Sequence, residues 1–458
     1  MKIVICGAGQ VGFNLARQLS AEGNDVTVID RDPDRINRAA SALDVQAIVG
    51  FASHPDVLVQ AGLKDADMLI AVTREDEINM VACQIAHSLF KVPTKIARIR
   101  EQEYLKPMWA DLFSRDHLPI DVIISPEIEV AHAIARRLEV PGAFDVTPLA
   151  EGKVKLIGLR CLEDCPVVNT PLRQLTELFP NLSITIVGII RNEQLIVPSD
   201  EDQMLADDDV YFIVETEHVA RAMQAFGHEK PEARRVAILG GGNVGLFLAQ
   251  KIEENHPTVH AKLVESNRAR AEEVAEQLTR TVVLQGGALD LEILEEINVR
   301  SAEAVVAVTN DDEVNILSAL LAKRQGCPRV IALINNQAYV NLVGWLGIDA
   351  VVSPRVITVS SILQHVRRGR IRGVYTIYEG SGEIIEADAL ETSSLVGKPL
   401  REIDLPDSIL IGVIVRGDQV IIPRGGTTIL AGDRVILFAA AAAVKKVEKL
   451  FTVGLEFF

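Results

Sequence analysis

One glycine loop occurs twice in this chain, and that duplication limits the possible folds more than any other feature. Gly7-Ala8-Gly9-Gln10-Val11-Gly12 returns as Gly240-Gly241-Gly242-Asn243-Val244-Gly245. The stretch from Ala71 to Asn79 returns from Ala307 to Asn315, keeping a threonine, an acidic run and an asparagine. Asp121 and Ser125-Pro126 return as Asp349 and Ser353-Pro354, and residues 188–198 resemble 413–423 with Arg191 and Arg416 in register. The separation drifts between 225 and 236 residues, as loop insertions and deletions would cause, so the chain is a tandem repeat whose halves each hold two modules.

Within the first module, apolar and β-branched runs alternate with helical spacing. Lys2 to Cys6, Asp25 to Ile29, Val45 to Val49, Met68 to Val72 and Lys95 to Ile99 read as buried strands. Helices are predicted over Val11 to Ala21, Asp32 to Leu43, Pro55 to Ala61, Glu75 to Phe90 and Glu127 to Leu138, the last stopping before Pro141-Gly142. Such alternation predicts a doubly wound parallel sheet. The second module has a different texture, with strand-like runs at Val154 to Leu159, Ile184 to Ile190 and Val210 to Val214 and one helix near Pro171 to Leu178. Its counterpart carries runs at Ile409 to Val415, Val420 to Ile422 and Val435 to Phe438. The expected fold class is therefore α/β: two Rossmann-like doubly wound parallel-sheet domains, each followed by a small α+β domain.

Each glycine loop follows a predicted strand and opens a predicted helix, and an acid closes the next strand: Asp30 after Ile29, Glu265 after Val264. This is the context a dinucleotide-binding loop requires. The first glycine (Gly7, Gly240) permits the tight turn and the second (Gly9, Gly242) lets backbone approach a pyrophosphate. The third (Gly12, Gly245) allows close helix-to-strand packing, while the helix N-terminus offers unpaired N–H groups. A carboxylate at Asp30 accepts bonds from adenosine ribose hydroxyls and repels a 2′-phosphate, favouring NAD(H) over NADP(H), although Arg31 beside it could receive an extra phosphate. The bland alternative is that the glycines only turn the chain.

Thr73 and Arg74, with Thr309 and Asn310 in the repeat, fall at the carboxyl edge of the fourth strand, where ligands bind in such sheets. Thr73 is a candidate for ribose or phosphate contact, or else Thr73 and Thr309 cap the helices that follow. The acids at 75–77 and 311–313 read as dipole complements better than as a cation site. Arg98, ending the fifth strand, can pair a phosphate or form a surface ion pair. Cys161 and Cys165 lack a second ligand pair, so no metal site is expected. The basic cluster of Arg367, Arg368, Arg370 and Arg372 could receive an acidic neighbour or a phosphate, but reads better as a solvated linker face.

Forty-six basic against 63 acidic side chains give a net charge of -17, which argues against a nucleic-acid groove or a broad anionic-membrane surface. The opening Met1 to Gly7 is broken too soon to be a signal peptide, and five sparse cysteines fit a reducing compartment. The longest apolar stretches, such as Ile184 to Ile190 and Val435 to Val444, fall short of the roughly 18 residues a spanning helix needs. No tyrosine begins a Tyr-x-x-x-Lys pair, and the small modules hold no paired His and carboxylate. An enzyme is not expected and no catalytic residue is assigned; the alternative is an NAD-dependent oxidoreductase with an unrecognised substrate domain.

The tandem resembles the RCK-domain regulatory subunits of bacterial Trk potassium-uptake systems over essentially its whole length. The resemblance rests on Gly-Ala-Gly-Gln-Val-Gly at 7–12, Asp-Ala-Asp-Met-Leu-Ile-Ala-Val-Thr at 65–73, Asn-Met-Val-Ala-Cys-Gln at 79–84, Ile-Ala-Arg-Ile-Arg at 96–100 and Ala-Val-Thr-Asn-Asp-Asp-Glu at 307–313. It implies RCK N-terminal domains at 1–123 and 232–350 and RCK C-terminal domains at 143–227 and 370–455. It further implies a protein peripheral to the cytoplasmic face of the inner membrane that binds NAD(H), and ATP or ADP. Its expected partners are copies of itself in a tetrameric ring and an integral-membrane potassium-translocating subunit, with no nucleic acid. Carried over by position, the nucleotide contacts are Gly7, Ala8, Gly9, Gln10, Val11, Gly12, Asp30, Thr73, Arg74 and Arg98, with Gly240, Gly242, Gly245 and Glu265 in the second half. A longer approach to Glu265, near Glu254 to His260, leaves the second ligand open.

Overall fold

A computed structural model of the chain describes residues 1–178, 183–229, 232–366 and 371–451. It comprises two compact units, one formed by residues 1–126 with a helix from Arg355 onward, the other by Glu127–Pro354 and the chain from 371 on.

The first sheet holds six parallel strands: β1 (Lys2–Cys6), β2 (Asp25–Asp30), β3 (Gln46–Val49), β4 (Met68–Ala71), β5 (Thr94–Arg98) and β6 (Val122–Ile124), in the order β3-β2-β1-β4-β5-β6. Helices α1 (Gln10–Ala21), α2 (Pro33–Ala42), α3 (Pro55–Gln60) and α4 (Asp76–Ser88) alternate with them. The strand order reverses direction between β1 and β4, which places a ligand crevice at the carboxyl ends of these strands. Because both faces are covered, β1 and β4 read as unbroken apolar runs. The short β6 carries too few residues for its pattern to stand out in the sequence.

After α5 (Pro126–Glu139) comes an antiparallel sheet of β7 (Ala143–Leu149), β8 (Val154–Arg160), β9 (Ile184–Arg191), β10 (Gln194–Ile196) and β11 (Asp209–Glu215), with α6 (Leu172–Leu178) and α7 (Val219–Ala225). The repeat then rebuilds the parallel sheet from β12 (Arg235–Leu239), β13 (His260–Glu265), β14 (Val282–Gln285), β15 (Ala304–Ala307), β16 (Val330–Leu333) and β17 (Ala350–Val352), ordered β14-β13-β12-β15-β16-β17. Its helices are α8 (Asn243–Asn255), α9 (Arg268–Glu276), α10 (Leu291–Glu296), α11 (Asp312–Arg324) and α12 (Gln337–Trp345), followed by α13 (Pro354–Val366). Strands β18 (Ile371–Ile377), β19 (Gly382–Asp388), β20 (Ile409–Arg416), β21 (Gln419–Ile421) and β22 (Arg434–Ala440) form the last sheet, and α14 (Val444–Leu450) follows. Strands β7, β10, β18 and β19 have no counterpart in the sequence reading; β10 is only three residues long, and β7 and β18 carry a register shift near their start that interrupts the alternating pattern. Of the basic cluster, Arg367, Arg368 and Arg370 lie outside the described residues.

Each parallel sheet is closed by the helix that follows the other one. Val359, Ile362, Leu363 and Val366 of α13 join the core of Ile3, Ile5, Leu15 and Leu19 in the first unit. In the second unit, Ala135 and Leu138 of α5 line one small cavity together with Val236 of β12 and Ile252 of α8. A buried guanidinium fixes the chain at the end of α5: Arg329 donates to the carbonyl oxygens of Arg137 (2.6 Å) in its last turn and of Val140 (3.2 Å) and Ala143 (3.0 Å) just beyond it. Cations are favoured there because the last carbonyls of a helix lack intrahelical donors.

Candidate nucleotide-binding sites

The first glycine loop leaves β1 at Gly7, whose φ of +108° suits glycine and whose N–H donates to Ile29 O at 2.7 Å. A Cβ there would sit 3.0 Å from the backbone of Val72 and Thr73, and one on Gly12 would overlap the carbonyl oxygen of Gly7. Fold geometry alone therefore explains the outer two glycines. It does not explain Gly9. That residue has an ordinary φ of -68°, and a Cβ on it would meet nothing nearer than the Arg35 Nη1 at 4.0 Å. Helix α1 starts at Gln10 with no side chain capping it, so the first-turn N–H groups, among them those of Gln10 and Val11, have no side-chain acceptor. An open approach to uncapped donors is the geometry a pyrophosphate needs, and it speaks against a loop that merely turns the chain.

Asp30, nine-tenths buried at the end of β2, closes the loop from the side. Its Oδ2 accepts the Ala8 N–H at 2.7 Å and its Oδ1 accepts the Asp32 N–H at 2.9 Å, while Arg35 Nη1 stands 3.6 Å away. Each carboxylate oxygen retains a lone pair for a ribose hydroxyl. Arg31 is drawn to Glu75 at 3.1 Å.

Across the crevice, the β4 end is organised by Asn79, a fully buried side chain on α4 that recurs in the sequence repeat but carried no assigned role there. Its Oδ1 accepts both the N–H (2.9 Å) and the hydroxyl (2.8 Å) of Thr73, and its Nδ2 donates to Arg98 O at 2.9 Å. Arg98 in turn donates from Nη2 to Thr73 O at 2.9 Å, so it braces the β4 and β5 ends together. Thr73 does not cap the next helix: the residue before α4 is Glu75, and no side chain caps there. Asp76, in the acidic run, accepts the N–H groups of Arg100 and Glu101 at 2.8 Å, a structural use. Arg74 is exposed.

The second cradle repeats this plan with altered chemistry. Gly240 has φ +118°, a Cβ on Gly245 would overlap Gly240 O, and one on Gly242 would meet nothing within 4 Å. Glu265 takes the place of Asp30, accepting the Gly241 N–H (2.8 Å) through Oε2 and the Asn267 N–H (2.8 Å) through Oε1. Arg270 matches Arg35 but turns inward, donating to Gly241 O at 3.0 Å and Asn243 Oδ1 at 3.2 Å. Asn315 reproduces the Asn79 bonds to Thr309 and to Leu333 O. Asp311 provides the cap of α11 by accepting the Val314 N–H, so Thr309 is not the cap either. The charges differ most. Where the first site has Arg31, Arg74 and Arg98, the second has Ser266, Asn310 and Leu333. The first cradle is thus the more cationic and the better suited to several phosphate charges.

Arg35, Arg270, Asn79 and Asn315 are the site residues that the sequence reading missed. A lone arginine on a helix reads as surface; the usable signal was that Arg35 and Arg270 hold the same spacing from Asp30 and Glu265. Cys161 and Cys165 are buried and free, and no group of three or more potential metal ligands occurs among the described residues. No helix among those residues is long and apolar enough to cross a membrane.

Residues 3–126 and 236–354 match the TrkA-N domain model, and 156–227 and 384–452 match the TrkA-C domain model. Full-length relatives include the Trk system potassium uptake protein TrkA of Azorhizobium caulinodans, 55% identical over 458 residues with all of both chains covered. That of Halomonas elongata is 44% identical over 462 residues, again with both chains fully covered. Among solved structures, the GsuK RCK domain aligns with a TM-score of 0.59 at 18% identity, covering 98% of this chain and 94% of that one. The GsuK channel bound to NAD aligns with a TM-score of 0.60 at 18% identity, covering 98% and 78%. These two likenesses concern the fold, which is that of tandem RCK modules. Four matched segments in alternating order and relatives of matching length identify the chain as a member of the TrkA family.

Proposed function

We propose that this chain is the regulatory subunit of a Trk-type potassium-uptake system, and that nucleotide binding at its glycine loops is the signal it reads. The observation that carries the reading is the vacancy beside Gly9 and Gly242: the backbone does not require glycine at either position, while a ligand phosphate approaching the helix start does. The name borne by the full-length relatives supports the potassium assignment.

NAD(H) occupies the first cradle through Gly7, Ala8, Gly9, Gln10, Val11 and Gly12, with Asp30 on the ribose and Thr73, Arg74 and Arg98 at the opposite wall. The second cradle, at Gly240, Gly242, Gly245 and Glu265, takes NAD(H), ATP or ADP. The four modules correspond to 1–123, 143–227, 232–350 and 370–455. The protein works without catalysis, as a tetrameric ring peripheral to the cytoplasmic face of the inner membrane under an integral-membrane translocating subunit. Each bound nucleotide shifts the gate only by its differential affinity for the two states, typically about 1–3 kcal/mol per site.

Calorimetric titration of the full chain with NADH, NAD, ATP and ADP tests the proposal, alongside Gly9→Ala. NADH is expected to bind the native chain and to lose at least about tenfold in affinity in the variant, with the melting temperature unchanged. Absence of binding by all four nucleotides, or equal NADH affinity in both proteins, refutes it.

A further inference from the structure

The two small antiparallel sheets pair their strands in the same register, so their residues can be matched one by one. Asp388 faces Arg434 as Arg160 faces Asp209, and Glu386 faces Ile436 as Gly158 faces Tyr211. Arg372 and Phe144 both sit at the register shift near the start of their strands. The matched positions have diverged sharply in character. Around Gly158 the site is aromatic: Phe144 and Tyr211 meet edge to face at 5.5 Å, and a Cβ on Gly158 would lie 2.6 Å from the Phe144 ring. Around Glu386 there is instead a cavity of about 520 Å³, walled by Arg372, Arg434, Glu386, Glu151, Tyr375 and Ala150. Its size falls within the small-molecule range.

The polar groups of this cavity are unevenly spent. Asp388 accepts Nε of Arg372 at 2.7 Å and Nε of Arg434 at 3.4 Å, clamping two guanidiniums side by side. The buried Glu386 accepts the Ala150 N–H at 2.9 Å and lies 3.3 Å from Arg434 Nη1, so its oxygens are engaged as well. Both terminal nitrogens of Arg372 and Nη2 of Arg434 have no hydrogen-bond partner among the described residues, and what remains to be satisfied is a set of cationic donors. The third carboxylate on Arg434 is Glu151 at 3.0 Å, 77% exposed and on a left-handed backbone (φ +57°). A side chain so exposed, on a conformation that non-glycine residues seldom adopt, is held weakly and is the displaceable ligand of Arg434.

We propose that this cavity binds a small metabolite through a carboxylate or phosphate group, which bridges Arg372 and Arg434 and displaces Glu151. Paired guanidiniums suit the planar, bidentate recognition of either oxyanion. The site is separate from both glycine loops, and among the described residues its matched position holds the Phe144 and Tyr211 rings instead.

Calorimetry on the full chain with sodium orthophosphate and with sodium malate, at constant ionic strength, tests this. Saturable binding of at least one is expected; phosphate alone identifies a phosphate ester as the class, malate alone a carboxylate. Arg372→Gln is expected to weaken binding at least about tenfold and Glu151→Gln to tighten it about two- to fivefold. Ala150→Tyr installs the residue found at the matching Tyr378, whose φ of +41° resembles the +48° of Ala150, and should abolish binding by filling the space. If that variant does not fold, the exposed Arg372→Gln decides. No saturable binding below about 10 mM, or binding unchanged by Arg372→Gln, overturns the proposal.

Discussion

Glu265 and Gly241 form a matched pair: the Glu265 Oε2 accepts the Gly241 N–H at 2.8 Å, and a Cβ on Gly241 would lie 2.8 Å from the Glu265 Cβ. In the first cradle the shorter Asp30 makes the same bond to Ala8 at 2.7 Å and leaves room for its methyl group. Gly241→Ala alone should therefore destabilise the second parallel-sheet domain by about 1–3 kcal/mol. Adding Glu265→Asp, which keeps the Cβ but shortens the chain beyond it, should recover part of that loss, which a double-mutant cycle by denaturant unfolding will read as a favourable coupling of about 0.5 kcal/mol or more.

Gly12 behaves differently from Gly9. A Cβ at Gly12 meets a backbone carbonyl that cannot rotate away, so Gly12→Ala should cost more than about 3 kcal/mol or prevent folding. Thermal melts of Gly12→Ala and Gly9→Ala side by side check the contrast; equal melting temperatures would remove the distinction drawn between packing and ligand approach.

Arg191 and Arg416, which keep register in the sequence repeat, anchor the same device in both small sheets. Arg416 grips the buried Asp433 through Nε (2.8 Å) and Nη2 (2.7 Å), and Arg191 grips Asp208 at 2.9 and 2.7 Å. Asp433 also accepts the Leu430 N–H at 2.8 Å, tying down the turn before β22. Arg416→Met should cost about 3–5 kcal/mol by stranding a carboxylate that is 1% exposed, measured by urea unfolding. The double variant with Asp433→Asn should be less damaged than the single one.

Glu253 on α8 provides a pH test. Partial burial works against its ionisation, but hydrogen bonds from the Thr279 hydroxyl (2.7 Å) and from the N–H groups of Thr279, Arg280 and Thr281 outweigh this and pull its pKa down to about 2. A depressed carboxylate pKa gives stability that is present above the unfolded value near 4.5 and is lost as the pH falls toward 2. Glu253→Gln should flatten the acid limb of the stability curve between those limits, with little change in its slope near neutrality.

The parallel sheets were legible because their information is local. A buried strand is an apolar run, and a glycine loop between strand and helix has few alternative readings. The acid ending β2 or β13 was legible for the same reason. The recurrence of Asn79 and Asn315 was visible but their role was not, because a buried asparagine in a helix looks like any polar helix residue; its worth lies in bonds to Thr73 and Arg98, or to Thr309 and Leu333, that only folding brings near. The exchange of α5 and α13 escaped for a related reason: an apolar stripe does not name the sheet it will cover. The cavity at Arg434 becomes visible only when matched strands are compared in three dimensions, since charge at a single strand position reads as surface.

That exchange of helices has a consequence for synthesis. Strands β1 to β6 are complete by Ile124, yet the residues that seal Ile3, Ile5, Leu15 and Leu19 begin at Val359. While the ribosome makes the intervening chain, the nascent first sheet carries an uncovered apolar face. The face is a waiting surface for α13 and, until that helix emerges, for chaperones or neighbouring nascent chains. Slow translation between Pro126 and Pro354 lengthens that interval.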